Sequence, residues 1–103
     1  MRIALGRPRA LMNTEEARQV LAHHLEQYRA LPYAELVRRI GAVETAEVTG
    51  ESEQYQLEVA FIWDGPEGGA VRVLGAIDDG GWRAFVPVTA DFSVGPDGRF
   101  IGE

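Results

Sequence analysis

The sequence contains no cysteine, which removes disulfides, thiolate nucleophiles and thiolate metal sites. It contains no lysine either, so all ten basic residues are arginine. That bias, with abundant alanine and glycine, is the codon signature of a GC-rich bacterial genome. Serine occurs only at Ser52 and Ser93, and neither has the strand-turn-helix surroundings of a nucleophile elbow. The only histidines are the adjacent His23 and His24. Neighbours on a helix diverge by about 100°, so the two cannot share one metal ion, and a His-x-x-x-His spacing is lacking. No apolar run approaches the roughly 18 residues of a spanning helix, and the N-terminus lacks a signal-peptide core. A cytoplasmic protein without membrane contact is expected. The glycines sit at turns, away from any phosphate-loop spacing, so no cofactor and no metal is expected.

What is present describes one domain. A chain of 103 residues, 46% hydrophobic and 25% charged, can bury a core without disulfides or metals. Its charge is unevenly placed. Arg2, Arg7 and Arg9 lie in the first eleven residues, which carry no acid, while the rest sets sixteen acids against seven arginines, a net of −9. A body of that sign repels phosphate backbones, so nucleic acid is not expected as a partner. The divisions are a basic arm over residues 1–12, a helical segment over 13–41 and an antiparallel sheet over 42–103. Met12 stands directly before the first helix and is a candidate alternative start. The other possibility is that the arm is native and covers the sheet.

The helical segment is delimited by its ends. Asn13 or Thr14 can cap the first turn, and Glu15 and Glu16 suit the positive end of the helix dipole. Ala17, Val20, Leu21, Leu25 and Tyr28 recur at helical spacing on a face that also takes in His24. Pro32 breaks this helix and can open a second in its first turn. Tyr33, Leu36, Val37 and Ile40 give that second helix an apolar face, and Gly41 is placed to end it in a left-handed conformation.

Beyond Gly41 the period drops to two. Tyr55, Leu57, Val59, Phe61 and Trp63 alternate with polar or small residues, as do Val71, Val73 and Ile77, then Ala84, Val86, Val88, Ala90 and Phe92. A weaker strand over Val43 to Thr49 precedes them, with Ala46 and Val48 inward. Short turns at Gly50–Glu53, Asp64–Gly69 and Asp78–Gly81 predict hairpins and a meander in the order 1-2-3-4, with Pro87 on an edge strand. The fold class is therefore α+β, a helix and a short second helix packed on one face of a four-stranded antiparallel meander. Matching inward residues sets Phe61 opposite Val73 and Val59 opposite Gly75. A glycine there either admits the helix closely or marks a bulge.

The opposite face is unusually apolar. Ala60, Ile62, Leu74, Ala76, Phe85 and Pro87 point outward, with Leu74 expected beside Ala60 and Pro87, and Phe85 beside Ala76. Such a patch needs a cover, and a homodimer through Ile62, Leu74, Phe85 and Pro87 is favoured over the N-terminal arm. On the inner face, His24, Tyr28, Tyr33 and Trp63 are the candidate lining of a ligand pocket between helix and sheet. His24 also reads as a hydrogen-bonded core histidine and His23 as solvent-facing. The Asp78-Asp79-Gly80-Gly81 run lacks the alternating ligands of a calcium loop and reads as a turn, as does Pro96-Asp97-Gly98.

The run Leu31-Pro32-Tyr33-Ala34-Glu35-Leu36, the stretch from Ile77 to Phe85 with Pro87, and Pro96-Asp97-Gly98-Arg99-Phe100 resemble small bacterial domains in which helices precede a four-stranded meander. The resemblance covers about residues 14 to 102. It implies the helix-then-sheet order that cystatin-like and NTF2-like architectures share, and it implies no activity. The residues favour a non-catalytic binding or assembly module. The alternative is a small-molecule-binding enzyme with its cavity between helix and sheet. A third reading, a stress or immunity-type factor acting through its acidic surface, would need a basic protein partner.

Overall fold

The computed structural model describes residues 13–80 and 87–103. Helix α1 (Thr14–Arg29) and the short α2 (Tyr33–Arg38) precede β1 (Val43–Thr49), β2 (Gln54–Asp64), β3 (Ala70–Asp78) and β4 (Val88–Val94). The strands form one antiparallel sheet in the order β1-β2-β3-β4, an α+β meander.

Local chemistry sets the helix limits. The Asn13 side chain accepts the Glu16 N–H at 3.0 Å, satisfying one donor that the first turn would otherwise leave unpaired. Pro32 stands at the N-cap of α2, one residue ahead of the first-turn position expected from the sequence. Its fixed φ and missing N–H suit either place. Gly41 has φ +90°, the left-handed conformation that ends the helical segment.

The inner face carries the core. Tyr55, Leu57, Val59 and Phe61 of β2, Val71, Val73 and Ile77 of β3, and Phe92 and Val94 of β4 are buried with Ala17, Leu21, Leu25 and Tyr28 of α1 and Leu36 of α2. Val59 pairs with Gly75, and Phe61 with Val73, in an uninterrupted ladder. Gly75 is therefore no bulge. A Cβ built there would lie 2.9 Å from Leu21 Cδ1 and 3.2 Å from Leu25 Cδ2, so the missing side chain is what lets α1 settle on the sheet.

The last hairpin differs from expectation. Leu74 pairs with Asp91 instead of Pro87, and Ala76 with Thr89 instead of Phe85. The ladder starts only at Val88, since the β3–β4 connection is longer than a tight turn at Asp78–Gly81, and the pairing slips by four residues. An even slip keeps every side chain on its expected face, so Val88, Ala90, Phe92 and Val94 still point inward. Pro87 is half-buried ahead of this edge strand. Trp82, Ala84, Phe85 and Val86 lie outside the described residues, as does the arm.

After β4 the chain turns through Gly95–Gly98 and returns, Phe100 bridging to Val94. The Arg29 guanidinium lies 4.7 Å from the Phe92 ring centre and 4.9 Å from that of Phe100. Its two terminal nitrogens donate to the two oxygens of Glu103 at 2.9 and 2.7 Å. The end of the chain is thus fastened to the end of α1 by a bidentate, ring-stacked arginine.

Candidate functional site

Helix α1 is seated mainly over β3 and β4, where Gly75 receives it, and it reaches β1 through the Tyr28 side chain. On the helix side of β1, Glu44, Ala46 and Val48 are consequently half-buried. Between the flank of α1 and β1 lies an open groove of about 750 Å³. Val20 and Val48 form its apolar floor, His24 and Gln19 stand on the helix wall, and Glu15 and Glu51 flank one end.

Glu16 holds that end of the groove together. Its Oε1 accepts from Ser52 Oγ at 2.5 Å and from the Tyr55 hydroxyl at 2.7 Å, while Oε2 accepts from the Glu51 N–H at 2.6 Å and the Ser52 N–H at 3.2 Å. The Asn13 N–H donates to Glu53 Oε2 at 3.1 Å, so two carboxylates bind the start of α1 to the β1–β2 turn. The Ser52 hydroxyl first, and the Tyr55 hydroxyl next, hold the Glu16 carboxyl below the usual carboxylate range. Burial, reinforced by Glu16, pushes the Tyr55 phenol well up.

A carboxyl whose folded pKa is depressed stabilises the fold above its unfolded pKa, and that contribution is lost as pH falls through the folded value. Glu16→Gln is therefore expected to lower Tm at pH 7 by more than a Glu15→Gln control. It should also flatten the fall of Tm below the ordinary glutamate value of 4.5. Thermal denaturation across pH 3–8 checks both; an unchanged acid slope would place the clamp outside the acid transition.

The four residues expected to line a pocket do not come together as one group. His24 is half-buried on the groove wall, edge-on to Tyr28 with ring centres 5.9 Å apart. It is hydrogen-bonded but not a core histidine: the Gln27 amide nitrogen lies 3.4 Å from each ring nitrogen and donates to the His24 carbonyl at 3.1 Å. The cause is the offset of α1, which leaves this flank beyond the core. Tyr28 is buried, edge-on to Phe61, and donates to Glu44 Oε1 at 2.7 Å. Burial, then Glu44, pushes its phenol up to about 12. Tyr33 stands elsewhere, its hydroxyl donating to the Gly69 carbonyl at 2.6 Å and so pinning the β2–β3 turn. Trp63 pairs with Val71 at that end of the sheet and packs against the core half-buried. His23 is exposed.

The sequence reading placed Glu16 only at the helix dipole, and it missed Glu44 and Glu51. Asn13 with Glu at the third helical position is a capping-box signal. The reach of Glu16 to a turn 35 residues onward has no local signature. Glu44 shares the inward phase of Ala46 and Val48, and it is tolerated there because Tyr28 donates to it and Arg39 lies 3.4 Å away.

On the outer face, Val43, Ala60 and Leu74 form one cross-strand row that ends at Asp91, with Ile62 beside it. Val43 is 59% and Ile62 41% exposed, whereas Ala60, Leu74 and Ala76 are half-buried. Arg72 donates to Asp91 at 2.6 Å, and Ser93 to Asp64 at 2.8 Å, along the next row.

Among the described residues there is no group of three metal-ligating side chains, and no helix is long and apolar enough to cross a membrane. Compared with known proteins, the chain matches no family model, no curated protein and no solved structure.

Proposed function

We propose that this domain is a non-catalytic binding and assembly module of a bacterial cytoplasm, self-associating as a homodimer through the outer face of its sheet. The observation that carries the reading is the row Val43–Ala60–Leu74 with Ile62, an apolar strip on the face away from both helices. A two-fold axis running across the strands reverses the rows of one copy over the other. It would bring Arg72 toward the partner's Ala76 and Glu58 edge, so that unlike charges border the apolar centre.

The inner face supports the non-catalytic half of the reading. Gly75 is filled by Leu21 and Leu25, and the carboxylates of Glu16 and Glu44 are engaged by hydroxyls, amides and Arg39. A general base needs a free lone pair facing substrate. The second reading, a small-molecule enzyme with its pocket between helix and sheet, is favoured by the groove volume and by His24 within it.

Sedimentation equilibrium tests the assembly. The wild type is expected to dimerise, and Val43→Glu/Ile62→Glu, at two exposed positions, is expected to weaken association at least about tenfold with circular dichroism unchanged. A wild-type monomer at the highest soluble concentration would overturn the reading.

A further inference from the structure

The groove between α1 and β1 adjoins a second unfilled feature. Among the described residues β1 pairs along one edge only, with β2, and its other edge presents the alternating N–H and C=O groups of a seven-residue strand. The sheet stops at β1 while the helix is seated mainly over β3 and β4, and the space left reaches β1 at Val48 and Thr49, with the strand edge on one side and an apolar floor of Val20 and Val48. An extended segment laid there would satisfy both at once. Its backbone would continue the sheet, and every second side chain would point down into the groove.

Charge selects the occupant. Glu15, Glu16 and Glu51 line the groove, and among the described residues no arginine does. Glu47 lies on the outer side of the same strand, opposite Gln56, in a chain of net charge −6. A second copy of β1 is a poor fit, because it would add its own Glu44 and Glu47 to an edge and groove already bordered by acids. A strand whose groove-facing residues are β-branched over the floor and basic at the end meets apolar carbon at Val20 and Val48 and carboxylates at Glu15 and Glu51.

We propose that the β1 edge and the α1–β1 groove form a peptide-docking site, which takes an extended basic segment of a partner protein as a fifth strand. This deepens the binding-module reading but uses the face opposite the self-association strip. Failure at either surface therefore leaves the other measurable on its own.

The test uses the full chain and a fluorescent Arg-Thr-Arg-Thr-Val-Thr-Val peptide, whose alternate groove-facing positions carry both arginine and valine, with Glu-Thr-Glu-Thr-Val-Thr-Val as the control, followed by anisotropy. Saturable binding of the basic peptide is expected, with affinity at least about tenfold above the control. Glu15→Arg/Glu51→Arg, two exposed changes whose folding is checked by circular dichroism, is expected to reduce that affinity at least about tenfold. Hydrogen exchange followed by NMR separates strand addition from loose charge attraction. Alternate β1 amides between Val43 and Thr49 should gain protection when the peptide is bound. Absence of saturable binding up to about 1 mM peptide would overturn the proposal. So would equal binding of the acidic control, indifference to the charge reversal, or binding that leaves β1 amide exchange unchanged.

Discussion

Phe61→Ala is expected to destabilise the domain by about 3–5 kcal/mol, the usual range for deleting a fully buried aromatic ring. Phe61 has no solvent exposure, lies edge-on to Tyr28 with ring centres 5.3 Å apart, and faces Val73 across the ladder. Its loss empties the junction of helix and sheet, and Tyr28 loses the contact that backs its hydrogen bond to Glu44. Domains of this size hold roughly 5–15 kcal/mol in total, so the variant stands near the threshold of folding. Urea denaturation gives the free energy directly, and Tm should drop by at least about 12 °C. A loss below about 1 kcal/mol would mean that the ring does not sit where α1 meets the sheet.

The second large effect comes from adding atoms instead of removing them. Gly75→Leu places a branched side chain where even the first carbon would meet Leu21 and Leu25 at 2.9 and 3.2 Å. Overpacking of this kind costs roughly 1–3 kcal/mol, and more where backbone must move. Here the helix has to lift from β3, so the upper end of that range or beyond is expected. Gly75→Ala should cost far less, because the atoms met are flexible leucine ends and because glycine in a strand carries an entropic penalty of its own. Leu21→Ala/Gly75→Leu should recover part of the loss in a double-mutant cycle. Simple additivity of the two changes would refute the close approach.

The same glycine marks what the sequence makes legible. Alternation in β2 and β3 fixes the faces and the short Asp64–Gly69 turn fixes the register, so Val59 opposite Gly75 follows from the two together, and so does the need for something to approach there. The helix limits follow from Asn13 and Pro32. The β3–β4 register does not follow, because a period of two is blind to even slips and the connecting segment is longer than its Asp-Asp-Gly-Gly turn signal suggests. The groove is illegible for a related reason. Helical periodicity assigns Val20 and His24 to an apolar face but does not say how far across the sheet that face reaches. Only the lateral position of α1, set by Leu21 and Leu25 over Gly75, decides that His24 borders open space while Tyr28 is enclosed. Acidic residues at 15, 16 and 51 are scattered in sequence, and it is the Glu16 clamp that gathers them.

The clasp between Arg29 and Glu103 has a kinetic meaning. Each strand pairs with its immediate neighbour in the chain, so the sheet can zip from local hairpins at small entropic cost. The clasp joins residues 74 positions apart, far beyond any hairpin. Ring closure on that scale belongs to the docking of α1 onto a nearly finished β4. Weakening it should therefore hasten unfolding and leave the rate of hairpin assembly almost untouched.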